Sequence, residues 1–567
     1  MNISEQEKKH GLTMLVSVGI TILYFVLVMH KYSFRLQSDD AQMRAIASGA
    51  FTGSPDGHLV FIKYVLGWVI SSLYKIFGKY NCYGIFFALI IACTMSFFCK
   101  FFLDRKKIGF VILYCILFTI AGLPLLIELN FTYSAAIVGS VALFLQITNE
   151  DENALGKIYF VLSIWLCYCI REEVFWVIMC FLALDIVYKY MERRQEKKHI
   201  LKKYLIVLLL IFITIIIEKV AYSDQEWNSY LQYNNYRSQI VDFNDWPSYE
   251  DNKDIYLKHG INEQNYDLLD VTRLSIPDVD MEGLVKDLSK VLDEKQSNSV
   301  KKKIITACYQ MYNDFFSDNY GLLNLMIGIV FGACFFYACI NEQRRYYIWK
   351  IAFSFLGFLS MWFILIYNGR AITRVCYMLQ FVMFTFFLAE LYVINENLTI
   401  QKERYIPISM LYVVILGFIA INRINGVNDI SIQNEKINND IAIISEYCST
   451  HEEKTYVVHG SMYAFIQENS LYNIAMSKNV IYPGGWITNS PLYDEQASNN
   501  GIQEIFNDLL EKDNVVYLDK KEKECEILLE YYNSMQKGNV TYQKIDTVGN
   551  GYQIYEPLYA YNFFCNK

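Results

Sequence analysis

The chain has 567 residues, 54% of them hydrophobic and 16% aromatic but only 19% charged, a balance that excludes an ordinary water-soluble enzyme of this size. The formal net charge of -8 matters less than its distribution, because Lys and Arg gather in short clusters while the acids spread over two long polar segments. No nucleic-acid partner is expected, and the fourteen cysteines, Cys93, Cys180 and Cys339 among them, fall mostly inside apolar runs and read as small buried hydrophobes.

A helix needs about 20 apolar residues to cross roughly 30 Å of hydrocarbon. The qualifying runs are 11–29, 82–99, 108–127, 131–148, 158–170, 174–188, 204–217, 321–340, 349–367, 375–394 and 406–422. They predict a mostly α, polytopic membrane protein with about eleven crossings. Basic clusters at 5–10, 104–107, 188–204, 341–350 and 401–405 all fall on one side if the N-terminus is cytoplasmic, as the positive-inside rule requires. No small-residue cleavage site follows the first run, which therefore reads as a span and not as a signal peptide.

Two segments test this scheme. Residues 158–190 carry Arg171, Glu172 and Glu173 at their centre; one helix would bury three charges at mid-bilayer, whereas two short helices lift them to the outer surface. A hairpin is expected. Residues 58–80 are apolar but interrupted by Lys63, and read as an interfacial helix along the outer leaflet; a true span here would turn the N-terminus outward. The span interiors are expected to be nearly free of charge.

Three polar regions then lie outside: the first loop (30–81), a segment of helices and turns (218–320), and a terminal domain (425–567) large enough to fold alone after a membrane module of residues 1–424. In the terminal domain, β-rich runs at 454–460, 478–484, 514–520 and 551–557 alternate with helical stretches at 502–512 and 524–535, which predicts a small α/β domain with a partly parallel sheet. "VGNGY" (548–552) is a turn and not a phosphate loop. The Tyr, Trp and Asn residues of 226–250 could contact sugar rings, although a packed subdomain accounts for them as well.

"SDDAQM" (38–43) after the first span, the His-containing surface helix that opens "SPDGHLVF" (54–61), and the Arg-plus-acid turn "CIREEVFW" (169–176) together resemble the GT-C integral-membrane glycosyltransferases, such as protein mannosyltransferases and aminoarabinose transferases. The resemblance implies a polyprenyl-phosphate-linked sugar donor, transfer with inversion to a hydroxyl or amine of an envelope glycan or glycolipid on the outer face of the plasma membrane, and an acidic general base.

Asp39 and Asp40 are the candidates for that base. Adjacent side chains diverge by about 100° on a helix, so one is assigned to catalysis and the other to orientation or to a divalent cation. Both could instead cap a helix starting near Ala41. Arg370 and Arg374, four apart and so on one helical face, with Arg171, are expected to grip the donor phosphate. His58, Glu172 and Glu173 are substrate-binding candidates, whereas Glu128 and Glu218 read as solvated boundary residues. No Cys/His set has zinc spacing and no Ser/His/Asp set is recognisable; no cofactor is assigned beyond the divalent cation that the Asp39/Asp40 pair could hold. A polysaccharide polymerase or ligase, a lipid-linked sugar flippase, and a receptor or scaffold displaying the terminal domain are the competing functions.

Overall fold

A computed structural model describes residues 3–36, 38–150, 154–192, 197–242, 246–269, 279–297, 300–317, 320–398, 406–458, 478–481, 483, 485–520, 522–535, 539–553 and 557–566. The basic cluster at 401–405 lies outside these residues, as do parts of 188–204 and of the 454–460 and 551–557 runs.

Among the described residues, eight helices contain stretches long and apolar enough to cross a membrane: Gly11–Lys31, Cys82–Asp104, Ile108–Ile127, Lys203–Ala221, Gly321–Cys339, Arg344–Tyr367, Thr373–Glu396 and Met410–Thr450. The full helices are α1 (Ile3–Lys31), α2 (Ser38–Ser48), α3 (Tyr64–Phe77), α4 (Cys82–Asp104), α5 (Ile108–Ile127), α6 (Phe131–Ile147), α7 (Ala154–Ile170), α8 (Glu172–Glu192), α9 (Lys197–Ala221) and α10 (Gln225–Val241). Short α11 (Lys253–Lys258) and α12 (Glu263–Tyr266) follow, then α13 (Met281–Ser297), α14 (Val300–Phe316), α15 (Gly321–Cys339), α16 (Arg344–Tyr367), α17 (Thr373–Glu396) and α18 (Ile406–Thr450).

Every residue of α6 is buried, because this helix is apolar on all sides and is wrapped by α4, α7, α8 and α17. By contrast, α1 and α9 leave most of their apolar surface open; Leu15, Leu23, Leu208 and Phe212 are each about 60% exposed or more, a surface that water does not tolerate and lipid does. Gly139 of α6 is the point of closest approach, since an added Cβ would sit 2.9 Å from Cys167 Sγ of α7 and 3.0 Å from Ile178 of α8.

The hairpin expected at 158–190 is present: α7 stops at Ile170, α8 starts at Glu172, and Arg171 forms the corner. Its charges lie beside Phe131, the start of α6, whereas Asp185 further along α8 meets Gln146 near the end of α6. The chain therefore reverses at Arg171. α3 spans 14 residues, or about 21 Å, too short for the hydrocarbon thickness. It starts beside Glu172 and Glu218 and ends next to the start of α4, so it lies across helix ends, as the interfacial reading requires.

The expectation of nearly charge-free span interiors is wrong. Lys350 Nζ of α16 lies 2.8 Å from Asp185 Oδ1 of α8 and 2.6 Å from Glu390 Oε1 of α17, with both carboxylates fully buried. Lys189 reaches Asp185 at 3.2 Å, and Gln146 Nε2 donates to it at 3.0 Å. Asp185 and Glu390 are lone acids in apolar runs while Lys350 and Lys189 belong to the basic clusters 341–350 and 188–204, so nothing in the sequence pairs them. Cys93, Cys180 and Cys339 also depart from expectation, since they are exposed on the helical surface; no disulfide forms among the described residues.

The boundary drawn at 424/425 falls inside α18, a single helix of 45 residues, about 68 Å long, that carries the terminal domain. That domain holds a five-stranded sheet in the order β4-β3-β5-β7-β6, from β3 (Thr455–Val458), β4 (Val480–Ile481), β5 (Val515–Asp519), β6 (Asn539–Val548) and β7 (Leu558–Asn566). β3, β4 and β5 run parallel and β6/β7 form an antiparallel hairpin, so the sheet is partly parallel as expected. Helices α19 (Pro491–Asn499), α20 (Ile505–Glu511) and α21 (Glu522–Ser534) complete it. The strand expected at 551–557 is absent from its described residues. Gly549 (φ 67°) and Gly551 (φ 92°) take the left-handed region, and the chain turns there from β6 into β7.

Candidate functional site

The site is assembled by a very short sheet. β1 (Arg35–Leu36) pairs in parallel with β2 (Glu128–Leu129), which fixes the start of α2 against the start of α6. Asp40, in the first turn of α2, is thereby buried to 1% exposure. It accepts hydrogen bonds from the Tyr83 hydroxyl (2.7 Å), Asn130 Nδ2 (2.8 Å) and the Phe131 backbone N–H (2.9 Å). Burial pushes its pKa up to about 8, against the lowering effect of the Tyr83 and Phe131 bonds. Asp40 thus ties α2 to α4 and α6.

Asp39 points elsewhere, as the angular divergence of neighbours on a helix demands. Its Oδ2 is 2.7 Å from Arg374 Nη1 at the start of α17, and it retains 17% exposure. A partly exposed pair of this kind contributes at most about 1 kcal/mol to stability, so it does little to hold the fold. Arg171 contacts Glu173 (Nε to Oε2, 2.8 Å) and stacks over Phe131 and Phe61, its Cζ 5.0 and 5.5 Å from the ring centroids. Burial and the nearby Arg374 charge lower its pKa, while Glu173, Asp39 and Asp40 raise it. Arg370 is lowered by burial and by Arg171, with Glu173 opposing. The three arginines and both aspartates therefore share one electrostatic neighbourhood.

The terminal domain covers this neighbourhood. Trp486 packs edge-on against Phe61 with centroids 4.8 Å apart, and Asn499 Nδ2 donates to Thr52 O of the first loop at 2.7 Å. Trp486 thus forms a roof beside Arg171, while Glu173 and Arg370 remain exposed.

Several members of the site carry no sequence signal. Arg35 and Arg423 both bear on Glu128, which is half-buried and not the solvated boundary residue expected; burial raises its pKa and the two arginines oppose that. Arg423 is 7% exposed, donates to Ile120 O at 3.3 Å and lies over the Tyr377 ring, one turn along α17 from Arg374. Its Nη2 and the Nε of Arg35 are buried without a hydrogen-bond partner among the described residues. Such donors are what an anionic ligand would satisfy.

Two sequence candidates are committed to protein partners at the rim. Glu172 binds Lys63 Nζ at 2.8 Å, and Glu218 Oε2 accepts the Tyr64 N–H at 2.6 Å, so this second boundary residue also has a structural contact at the start of α3. His58 stacks on Trp227 at 4.7 Å, with Nδ1 2.7 Å from Asp56 Oδ1 and Nε2 3.1 Å from Ala221 O. Asp56 and the Ala221 carbonyl both accept, an arrangement that favours the protonated ring. Burial lowers the His58 pKa, but the Asp56 bond and charge outweigh it and leave the pKa above the usual 6.5. The stability this gives is fully present below the ordinary imidazole value and is lost as pH rises through the raised folded value. His58→Phe should keep the stack, cost about 1–2 kcal/mol and flatten that alkaline loss, as read by thermal unfolding on either side of the imidazole range.

A divalent cation at the acid pair would have to displace the donors that now hold both carboxylates. Both Asp40 oxygens are occupied by donors, a guanidinium holds Asp39, and among the described residues no group of three or more His, Cys, Asp or Glu could hold a metal. Comparison with protein-family models, curated proteins and solved structures gives no significant match.

Proposed function

We propose that this chain is a membrane-embedded glycosyltransferase of GT-C type, carrying a sugar from a polyprenyl-phosphate donor to an envelope glycan or glycolipid. With the 17-residue helices α6 and α7 and the 21-residue α8 counted beside those eight, it crosses a bacterial-type plasma membrane eleven times. Its N-terminus is cytoplasmic, and its terminal domain and site are extracytoplasmic.

In this reading Asp39 is the general base. As the acceptor oxygen attacks the anomeric carbon, its proton passes to the Asp39 carboxylate; the carbon–phosphate-oxygen bond breaks on the opposite face, and its electron pair leaves with the lipid phosphate. Arg374, Arg370 and Arg171 bind that phosphate and stabilise its growing charge. Arg374 can exchange Asp39 for the arriving phosphate, which frees the base only once donor is present. Asp40 positions α2, Glu173 aligns Arg171, and His58 and Glu172 shape the rim.

The observation that carries the reading is the 2.7 Å contact between Asp39 and Arg374, residues 335 positions apart that bring a carboxylate and a guanidinium to one point. Protein in vesicles, given a radiolabelled polyprenyl-phosphate sugar and a glycan acceptor, should move label to the acceptor. Arg171→Ala and Arg370→Ala should raise the donor KM by about tenfold or more. Transbilayer movement of a fluorescent donor analogue without label transfer would replace this reading by the flippase.

A further inference from the structure

Three charged side chains at the outer end of α5 come together without pairing. The β1/β2 register sets Arg35 directly opposite Glu128, so the two side chains leave the same face of the ladder. Arg423 enters from α18. Its Nε donates to Ile120 O, about two turns of α5 below Glu128, and its Cζ lies 5.5 Å from the centroid of the Tyr377 ring. Arg35 and Glu128 form a partly exposed mouth, and Arg423, at 7% exposure, forms the floor.

We infer that Arg35, Arg423 and Glu128 form a binding site for a phosphate ester that carries a free hydroxyl, the chemistry shared by sugar phosphates and by glycerol-phosphate lipid headgroups. The two guanidiniums hold the phosphoryl oxygens, and the Glu128 carboxylate accepts the hydroxyl. The binding does not rest on the glycosyltransferase reading.

Three observations support it. First, opposite charges this close ordinarily pair, yet among the described residues the Glu128 carboxylate forms no ion pair with either arginine and accepts no hydrogen bond. Both guanidiniums are near enough to act on its charge, so the three groups are spaced to hold a molecule between them and not to neutralise one another directly.

Second, the unmatched hydrogen-bonding groups here are of both kinds. Arg35 Nε and Arg423 Nη2 are buried donors without a partner among the described residues, and the buried Asn438 Oδ1 is an acceptor without one. Asn438 uses its amide N–H on Phe34 O at 3.1 Å, the carbonyl next to Arg35. A simple oxyanion meets only the donors, whereas an ester with anionic oxygens and a hydroxyl meets donors and acceptors together.

Third, the fold holds these groups in place. The Ser33 N–H donates to Ser431 Oγ at 2.7 Å and Asn434 Nδ2 donates to Ser33 O at 3.3 Å, so α18 straps the residues that lead into Arg35. Arg423 leaves the same helix directly after its apolar run 406–422, at the depth where a lipid phosphate lies, and Tyr377 beneath it is one turn along α17 from Arg374.

The test uses the full chain in phosphatidylcholine nanodiscs, in an Arg171→Ala/Arg370→Ala background that removes the neighbouring arginines. Calorimetry follows titration with glycerol 3-phosphate, glucose 1-phosphate, sulfate and glucose. Saturable binding of both esters, about tenfold or more tighter than sulfate, and no binding of glucose are expected. Arg35→Gln/Arg423→Met should weaken the esters by about tenfold or more while keeping the thermal transition. Glu128→Gln should tighten sulfate and narrow its difference from the esters, a change that a purely structural acid would not produce. Exchanging part of the nanodisc lipid for phosphatidylglycerol separates the sources: lost ester binding assigns the site to a lipid headgroup, and unchanged ester binding assigns it to a soluble ester. Equal binding of sulfate and the esters, no saturable binding, or full affinity in the folded double variant would each overturn the inference. If the double variant does not fold, Arg35→Gln alone is used, and unchanged affinity there overturns it as well. Because the readout is binding, a chain that transfers no sugar yet shows this pattern separates failure of the enzyme reading from failure of this site.

Discussion

Replacing Lys350 by Met is expected to destabilise the protein by about 3–5 kcal/mol, the usual result of removing one partner from a buried ionic cluster. Lys350 is 3% exposed and contacts Asp185 and Glu390, both at 0%. Without its charge, two buried carboxylates from different helices face each other with no cation between them. Asp185 retains Lys189 at 3.2 Å and Gln146 at 3.0 Å, but among the described residues Glu390 has no other ion-pair partner. The damage therefore concentrates on Glu390, and Lys350→Met/Glu390→Gln should recover most of the loss. Thermal unfolding in detergent, with both single variants to complete the cycle, measures the coupling. A Lys350→Met protein as stable as the parent would show that water or lipid reaches the cluster. Transfer activity should follow stability in this series, because the cluster sits near Gln146 while Arg171 and the acid pair sit at the Phe131 end of α6.

How much of this could be read from the chain depends on the range over which each signal acts. Long apolar runs mark helices because a backbone in hydrocarbon must satisfy its own hydrogen bonds, and that constraint is local. The corner at Arg171 was legible for the same reason: three consecutive charges cannot stay at mid-bilayer, so the helix must break there. The Asp39–Arg374 meeting was legible as a shared face, though not as a contact, since loop charge places residues on a side without giving a distance. Asp40 and Asp39 look identical in sequence. Only Tyr83, Asn130 and the Phe131 N–H, all supplied by other helices, distinguish them. Arg35 and Glu128 meet through a ladder of two residues per strand, too short to leave any periodic trace. Asp185 and Glu390 each resemble a single interruption in an apolar run and Lys350 the edge of a basic cluster, and their mutual neutralisation exists only in the packed bundle.

The two aspartates should fail in different ways, and this contrast is the sharpest test of the proposed chemistry. Asp39→Asn preserves size and a hydrogen bond to Arg374 but cannot take a proton, so transfer should fall by about 10²–10⁴-fold while stability shifts by no more than about 1 kcal/mol. Asp40→Asn should instead lower stability. Compared with the ionised carboxylate, its amide places an N–H against either the Asn130 amide or the Phe131 N–H, leaving a buried donor without an acceptor at a cost of about 1–3 kcal/mol that is felt above about pH 8. Titration separates the variants further. Because burial raises the Asp40 pKa to about 8, the folded chain binds its proton more tightly than the unfolded chain does, so this residue's contribution to stability is greatest at low pH and declines as pH rises from the ordinary carboxylate range through about 8. Asp40→Asn should remove that slope and Asp39→Asn should keep it. An inactive but stable Asp40→Asn beside an active Asp39→Asn would move the base to the buried position, and full activity in both would leave the arginines without a catalytic partner. The expected pattern assigns the exposed acid to the proton and the buried one to the scaffold, because only a group open to the acceptor can receive its proton while only a group closed to water can hold three donors in place.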